Sequence, residues 1–136
     1  MVRISHIAIA VSDPEAAKEF YVNGLGLEVV GDLDSPTAVG YYLGDGRMNL
    51  ALLKFKSDEP AITEGAPRHT GIHHFGVKVE NMAAARAQIE SAGAIHRPYE
   101  GVEEMEARGN VEIKFYGPDG VTVDLSEDGW AGAKSI

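Results

Sequence analysis

Cysteine is absent from this 136-residue chain, so neither disulfides nor thiolate ligands are available to it. Any bound metal must be held by imidazole, carboxylate or amide groups. Long apolar runs are also lacking: none approaches the roughly 20 residues that a membrane-spanning helix needs, so no membrane association is expected. No signal-peptide pattern precedes the first strand-like segment, and the expected compartment is the cytoplasm. Positive charge is scarce, with 12 Lys and Arg against 21 Asp and Glu and a formal net charge of −9. That balance repels phosphate backbones, so nucleic acid is not an expected partner. It leaves a small-molecule substrate open, because local charge inside a cleft can oppose the net charge.

What the chain does have is a hydrophobic content of 44%, enough for the core of one compact domain, and an internal repeat. The stretches HIAIAV and HFGVKV match at an offset of 68 residues (74 − 6). His6 then pairs with His74, Ile7 with Phe75, Ala8 with Gly76 and Val11 with Val79. The match continues into a following helix, where Ala16 pairs with Ala84 and Ala17 with Ala85. One histidine at the same point of each copy is economically explained by a shared, roughly two-fold site.

Residues 3–11 alternate as a strand, and Asp13-Pro14-Glu15 supplies an N-cap, a proline at the first helical position and an early acid. The spacing predicts a helix to Tyr21 or Asn23, ended by Gly24 and Gly26. Strands are predicted at Leu27–Asp32, Val39–Leu43 and Met48–Lys56, with Gly44-Asp45-Gly46 as a hairpin turn. The second half repeats the order: a strand over 72–79, a helix from Asn81 to Ala92, then strands at Ile95–Tyr99, Val111–Tyr116 and Val121–Ser126. Glu100–Asn110 reads as a loop. The chain thus divides into a module over about 1–56, a linker over about 57–70, a module over about 71–127 and a tail over 128–136. Each module reads βαβββ, and neither can cover its own sheet, so the two should pack into a single α+β domain.

Side chains alternate along a strand, so parity sorts the faces. Ile7, Ile9 and Val11 suit packing under a helix, which leaves His6 with Ala8 and Ala10 on the other face. Phe75, Val77 and Val79 likewise leave His74 with Gly76 and Lys78. Asp124 lies opposite Val123 and Leu125, and Asn49 lies opposite Met48 and Leu50. The polar faces therefore carry His6, Asn49, His74 and Asp124 among mainly small residues, the pattern of a lined cleft. Two neutral imidazoles and one carboxylate are a ligand set for Fe, Mn, Co, Ni or Zn that leaves coordination positions open. Asn49 could add an amide oxygen as a fourth ligand. A single strand histidine is commonly structural, and His73 (on the helix side), His69 and His96 are read that way. Glu112, Lys114 and Tyr116 share a face; if it joins the cleft, Glu112 is a candidate base and Tyr116 a candidate acid or hydrogen-bond donor. One of Tyr41 and Tyr42 should also face the cleft, and Arg108 and Asn110 could reach an anionic substrate from the loop.

With HIAIAV, HHFGVKV and the closing PDGVTVDLSE in view, the chain resembles the vicinal oxygen chelate superfamily over nearly its whole length. That superfamily includes glyoxalase I (lactoylglutathione lyase), methylmalonyl-CoA epimerase, extradiol dioxygenases and bleomycin resistance proteins. The resemblance implies two βαβββ modules pairing into a cup-shaped mixed β-sheet around a divalent metal, with helices on the outside, and a homodimer, the site lying either within one chain or across the dimer interface. Carried over by motif, the ligand positions are His6, Asn49, His74 and Asp124. Asp124 is one methylene shorter than the usual glutamate, and Asn49 stands where glutamate or glutamine is usual. The implied activity is a metal-dependent lyase or isomerase of the glyoxalase/epimerase kind. It would act on a small α-oxygenated carbonyl compound through an enediolate, with Glu112 or Asp124 moving the proton. One alternative is an Fe(II) extradiol-type dioxygenase using His6, His74 and Asp124 with Tyr116 as acid–base. The other is a metal-free binding or resistance protein.

Overall fold

The computed structural model describes residues 2–57, 70–98 and 112–133. The first module comprises β1 (Val2–Ala10), α1 (Pro14–Leu25), β2 (Glu28–Asp34), β3 (Ala38–Gly44) and β4 (Asn49–Phe55). The second comprises β5 (Gly71–Val79), α2 (Met82–Ser91), β6 (Ile95–His96), β7 (Ile113–Tyr116) and β8 (Thr122–Ser126), with a 3₁₀ turn at Pro118–Gly120. All predicted elements are present. The predicted loop Glu100–Asn110 and nearly all of the linker, together with Tyr99, Val111 and His69, lie outside the described residues.

The helices begin as the sequence dictates. Asp13 accepts a hydrogen bond from the Ala16 amide at 3.1 Å, and Asn81 accepts from the Ala84 amide at 2.8 Å. These caps are themselves 68 residues apart (81 − 13). The end of α1 differs from expectation: the helix runs through Gly24 to Leu25 and stops only at Gly26, which is left-handed with φ 74°. A glycine interrupts a helix only weakly, whereas a left-handed residue that returns its amide to the Val22 carbonyl terminates it.

The eight strands form one mixed open sheet in the order β2-β3-β4-β1-β5-β8-β7-β6. The order is the same read from either edge with the modules exchanged, so the repeat has become a pseudo-two-fold. Its axis passes between the antiparallel central strands β1 and β5, where Ile7 faces Phe75. Each module closes on itself by a parallel pairing, β1 with β4 and β5 with β8.

The apolar parities go where they were expected in the second module. Val79, Phe115 and Leu125 are buried against Met82, Ala85 and Ile89 of α2. In the first module the opposite face is also filled. Ala8 and Ala51, expected to leave open space, are covered by Leu33, Leu53, Tyr42 and Phe55. Small side chains leave room only until larger ones from neighbouring strands lean over them, so the cleft is confined to the polar residues described next. Of the two tyrosines, Tyr42 takes this inner face beside Ala51, whereas Tyr41 turns outward and donates to Glu15 of α1.

Candidate metal centre

The site is organised by one row of residues running across five strands. Asn49 on β4 is the register partner of His6 on β1, His6 of Gly76 on β5, Gly76 of Asp124 on β8, and Asp124 of Lys114 on β7. Because register partners share a face, strand pairing alone brings these side chains to one side of the sheet. His74 enters from the adjacent row, opposite Ala8. All four candidate ligands are buried, with His6 at 3% exposure and Asp124 at 0%.

His6, His74 and Asp124 converge so that one ligand atom from each lies within 4.8 Å of the others. The two Nε2 atoms are 3.4 Å apart, and His74 Nε2 is 3.2 Å from Asp124 Oδ2. Those separations match the edges of a coordination sphere of about 2.0–2.2 Å radius. Among the described residues Asp124 Oδ1, which is buried, has no hydrogen-bond partner, an arrangement that a carboxylate tolerates poorly without a further cation. The donor set therefore fits a divalent metal.

Asn49 is in the cluster, but its amide is engaged. Its Nδ2 donates to the Ala131 carbonyl at 2.9 Å, which turns Oδ1 toward His6 Nδ1, 2.7 Å away. A carboxamide oxygen only accepts, so His6 Nδ1 carries the proton and its Nε2 presents a lone pair to the cluster. On the other side, His73 Nδ1 lies 2.9 Å from His74 Nδ1.

Three residues complete the surroundings. Lys114 Nζ donates to Asp124 Oδ2 at 2.6 Å and lies 3.9 Å from Glu112 Oε2. The Trp130 indole stacks on His6, with centroids 4.6 Å apart and planes inclined by 5°, and its Nε1 donates to Glu112 Oε1 at 2.8 Å. Glu112 thus belongs to the cluster. Tyr116 is turned toward Arg97, whose Nε donates to its hydroxyl at 2.7 Å. Arg108 and Asn110 lie outside the described residues.

The electrostatics follow from burial and neighbours. Burial, and then the facing His74, bring His6 down to about 3, so it is neutral at physiological pH. Burial acts to raise the Asp124 carboxyl, but His74 and Lys114 outweigh it and hold the group well below the usual carboxylate range. Burial, and then the Asp124 charge, push the Glu112 carboxyl up. Tyr42 is pushed up to about 12 by burial and by Glu112. One carboxylate is thereby held below the usual range beside another that is pushed above it, the division that acid–base chemistry uses.

Strand parity found His6, Asn49, His74, Asp124 and Glu112. It put Lys114 on the Glu112 face without pairing it to Asp124, assigned His73 to the helix side, and gave Trp130 no role. The signals for these were faint: a lysine two residues from a candidate base, and the only tryptophan standing in a tail of small polar residues.

The model of the Glyoxalase/Bleomycin resistance protein/Dioxygenase superfamily matches residues 3–125. The chain belongs to that superfamily. Among relatives, an ethylmalonyl-CoA/methylmalonyl-CoA epimerase of Cereibacter sphaeroides is 38% identical over 97 residues, covering 68% of this chain and 72% of that protein. The mitochondrial methylmalonyl-CoA epimerase of Bos taurus is 36% identical over 88 residues, and the match spans 61% of this chain and half of that protein's length (50%). Among solved structures, a hypothetical protein of Bacillus halodurans C-125 superposes with a TM-score of 0.74 at 26% identity, covering 91% of this chain and 92% of its own. The pseudo-two-fold sheet described above is the fold of this superfamily.

Proposed function

We propose that this superfamily member is a metal-dependent isomerase of the epimerase kind, which moves a proton at the carbon beside a carbonyl in a small acyl-thioester substrate. The observation that carries the reading is the buried His6–His74–Asp124 cluster with the Glu112 carboxyl, pushed up by burial, beside it. The similarity to ethylmalonyl-CoA/methylmalonyl-CoA epimerase supports a 2-substituted malonyl thioester as the substrate. His6, His74 and Asp124 would hold the metal. Bound there, a divalent ion supplies Lewis acidity to a carbonyl oxygen and acidifies the neighbouring C–H.

The remaining steps belong to the chain. Asn49 holds the proton on His6 Nδ1 and keeps Nε2 free, the role of an orienting partner behind a ligand. Glu112 takes the substrate proton from one face, a solvent-derived proton delivered to the opposite face of the planar carbanion inverts the centre, and the Trp130 indole fixes the Glu112 carboxylate by one hydrogen bond. Asp124, held ionised, contributes charge and ligation and is a poor base. Tyr116, the acid–base residue of the dioxygenase alternative, is engaged by Arg97, which favours the isomerase reading.

The test is solvent deuterium incorporation at C2 of methylmalonyl-CoA and ethylmalonyl-CoA by the metal-supplemented protein in D₂O. Incorporation that falls at least about 100-fold in Glu112→Gln supports the proposal. No incorporation into either thioester, with O₂ consumed on catechols instead, would establish the dioxygenase alternative.

A further inference from the structure

Lys114 stands at a place where a metalloenzyme has little reason to keep a cation. It is the register partner of Asp124, is 8% exposed, and donates at 2.6 Å to the oxygen of Asp124 that also faces His74 Nε2. A divalent ion bound by His6, His74 and Asp124 would sit within a few ångströms of that ammonium. Two cations on one buried carboxylate repel strongly, because little solvent remains to screen them. A second carboxylate within reach of Nζ is Glu112, with Oε2 at 3.9 Å. A lysine stem has enough rotamers to carry its head from one to the other.

We propose that Lys114 is an exchangeable counter-ion that occupies Asp124 in the metal-free protein and moves to Glu112 when metal enters. The inference rests on the metal assignment made above. In the metal-free state the ammonium partners Oδ2 of a carboxylate that would otherwise be buried with no cation beside it, so the protein folds without metal while Oδ1 is left for the ion. The same contact lowers metal affinity, because binding must first break a buried ion pair. After the exchange, the ammonium lies beside the proton-moving carboxylate, so Lys114 acts as a positioning residue for Glu112. The site thereby selects for ions that compete well for imidazole and carboxylate over weaker ones such as Mg²⁺.

The experiment is isothermal titration of Co²⁺ and Zn²⁺ into chelator-stripped protein, together with thermal unfolding of the stripped protein, for wild type, Lys114→Met and Glu112→Gln. Lys114→Met is expected to bind both ions at least tenfold more tightly and to melt lower when stripped, with metal restoring the difference. Glu112→Gln, which removes the second resting place, is expected to bind severalfold more weakly. Equal or weaker binding by Lys114→Met, with wild type binding normally, overturns this inference and leaves the metal site standing. Absence of binding in all three overturns both. If Lys114→Met does not fold, Lys114→Gln replaces it, and unchanged affinity in Glu112→Gln by itself overturns the exchange.

Discussion

Ser5 and His73 are each the extra residue of a bulge in the central β1–β5 ladder: the register steps from Ile4 to His6 on one strand and from His74 to Ile72 on the other. They are repeat equivalents, 68 residues apart (73 − 5), and each immediately precedes a histidine of the site. A bulge breaks the alternation of faces and re-aims the side chains beside it. In the second module this turns His73 away from the helix side, where strict alternation would put it, to the side of His74, near the Phe55 ring.

The His73–His74 contact bears on metal affinity. A histidine ligand that presents Nε2 to a metal carries its proton on Nδ1, and His73 Nδ1 is the partner 2.9 Å away. His73→Ala should weaken Co²⁺ binding by roughly 10-fold while leaving the circular dichroism spectrum intact. Competition with a chromophoric chelator measures it, and wild-type affinity in the variant would assign His73 to packing alone.

Gly76 supplies the space for Trp130. A Cβ at this position would stand 2.4 Å from the indole, closer than any real contact. Gly76→Ala should therefore expel the ring from His6 and destabilise the protein by about 1–3 kcal/mol, as overpacking of a filled site does. Since Trp130 is the only tryptophan, a red shift of its fluorescence reports the expulsion directly. An unshifted spectrum would mean that the indole stays on His6.

Asn49 joins the site to the chain's last described turn through Ala131. Asn49→Ala leaves the His6 Nδ1 proton and the Ala131 carbonyl without their partner and should lower stability by about 1–3 kcal/mol. It should also weaken metal binding, because His6 can then rotate or change tautomer. Denaturant unfolding and metal titration on the same variant separate the two effects; a loss of stability with unchanged metal affinity would deny Asn49 its orienting role.

The acid response of the stripped protein follows from His6. The unfolded chain takes up this proton near the ordinary value of 6.5, whereas the folded site resists it down to about 3. Stability from this group is therefore full above pH 6.5 and is lost as pH falls through that window, by up to about 1.4 kcal/mol per pH unit. Glu112 works in the opposite sense, because its raised value lets the folded state keep a proton that the unfolded chain releases. The His6 contribution is thus read from the difference between wild type and His6→Gln in urea titrations between pH 7 and pH 4. Parallel curves would show that His6 is not held neutral by the fold.

The order of elements, the Asp13 helix cap, the internal repeat and the shared polar face of His6, His74 and Asp124 were legible in the sequence, whereas their convergence within one chain was not. The legible features depend on local rules and on period-two alternation repeated at a fixed offset, and such signals survive in one dimension. What tertiary structure decided was everything set by register and by crowding between strands. Residues in one row across β4, β1, β5, β8 and β7 are far apart in sequence, so nothing local couples Lys114 to Asp124 or makes Gly76 the hole for Trp130. The bulges at Ser5 and His73 have no compositional mark and override the parity on which the strand reading relies. Asn49 shows the same division: its presence on the inner face could be read from alternation, but the direction of its amide was fixed by the Ala131 carbonyl, 82 residues away.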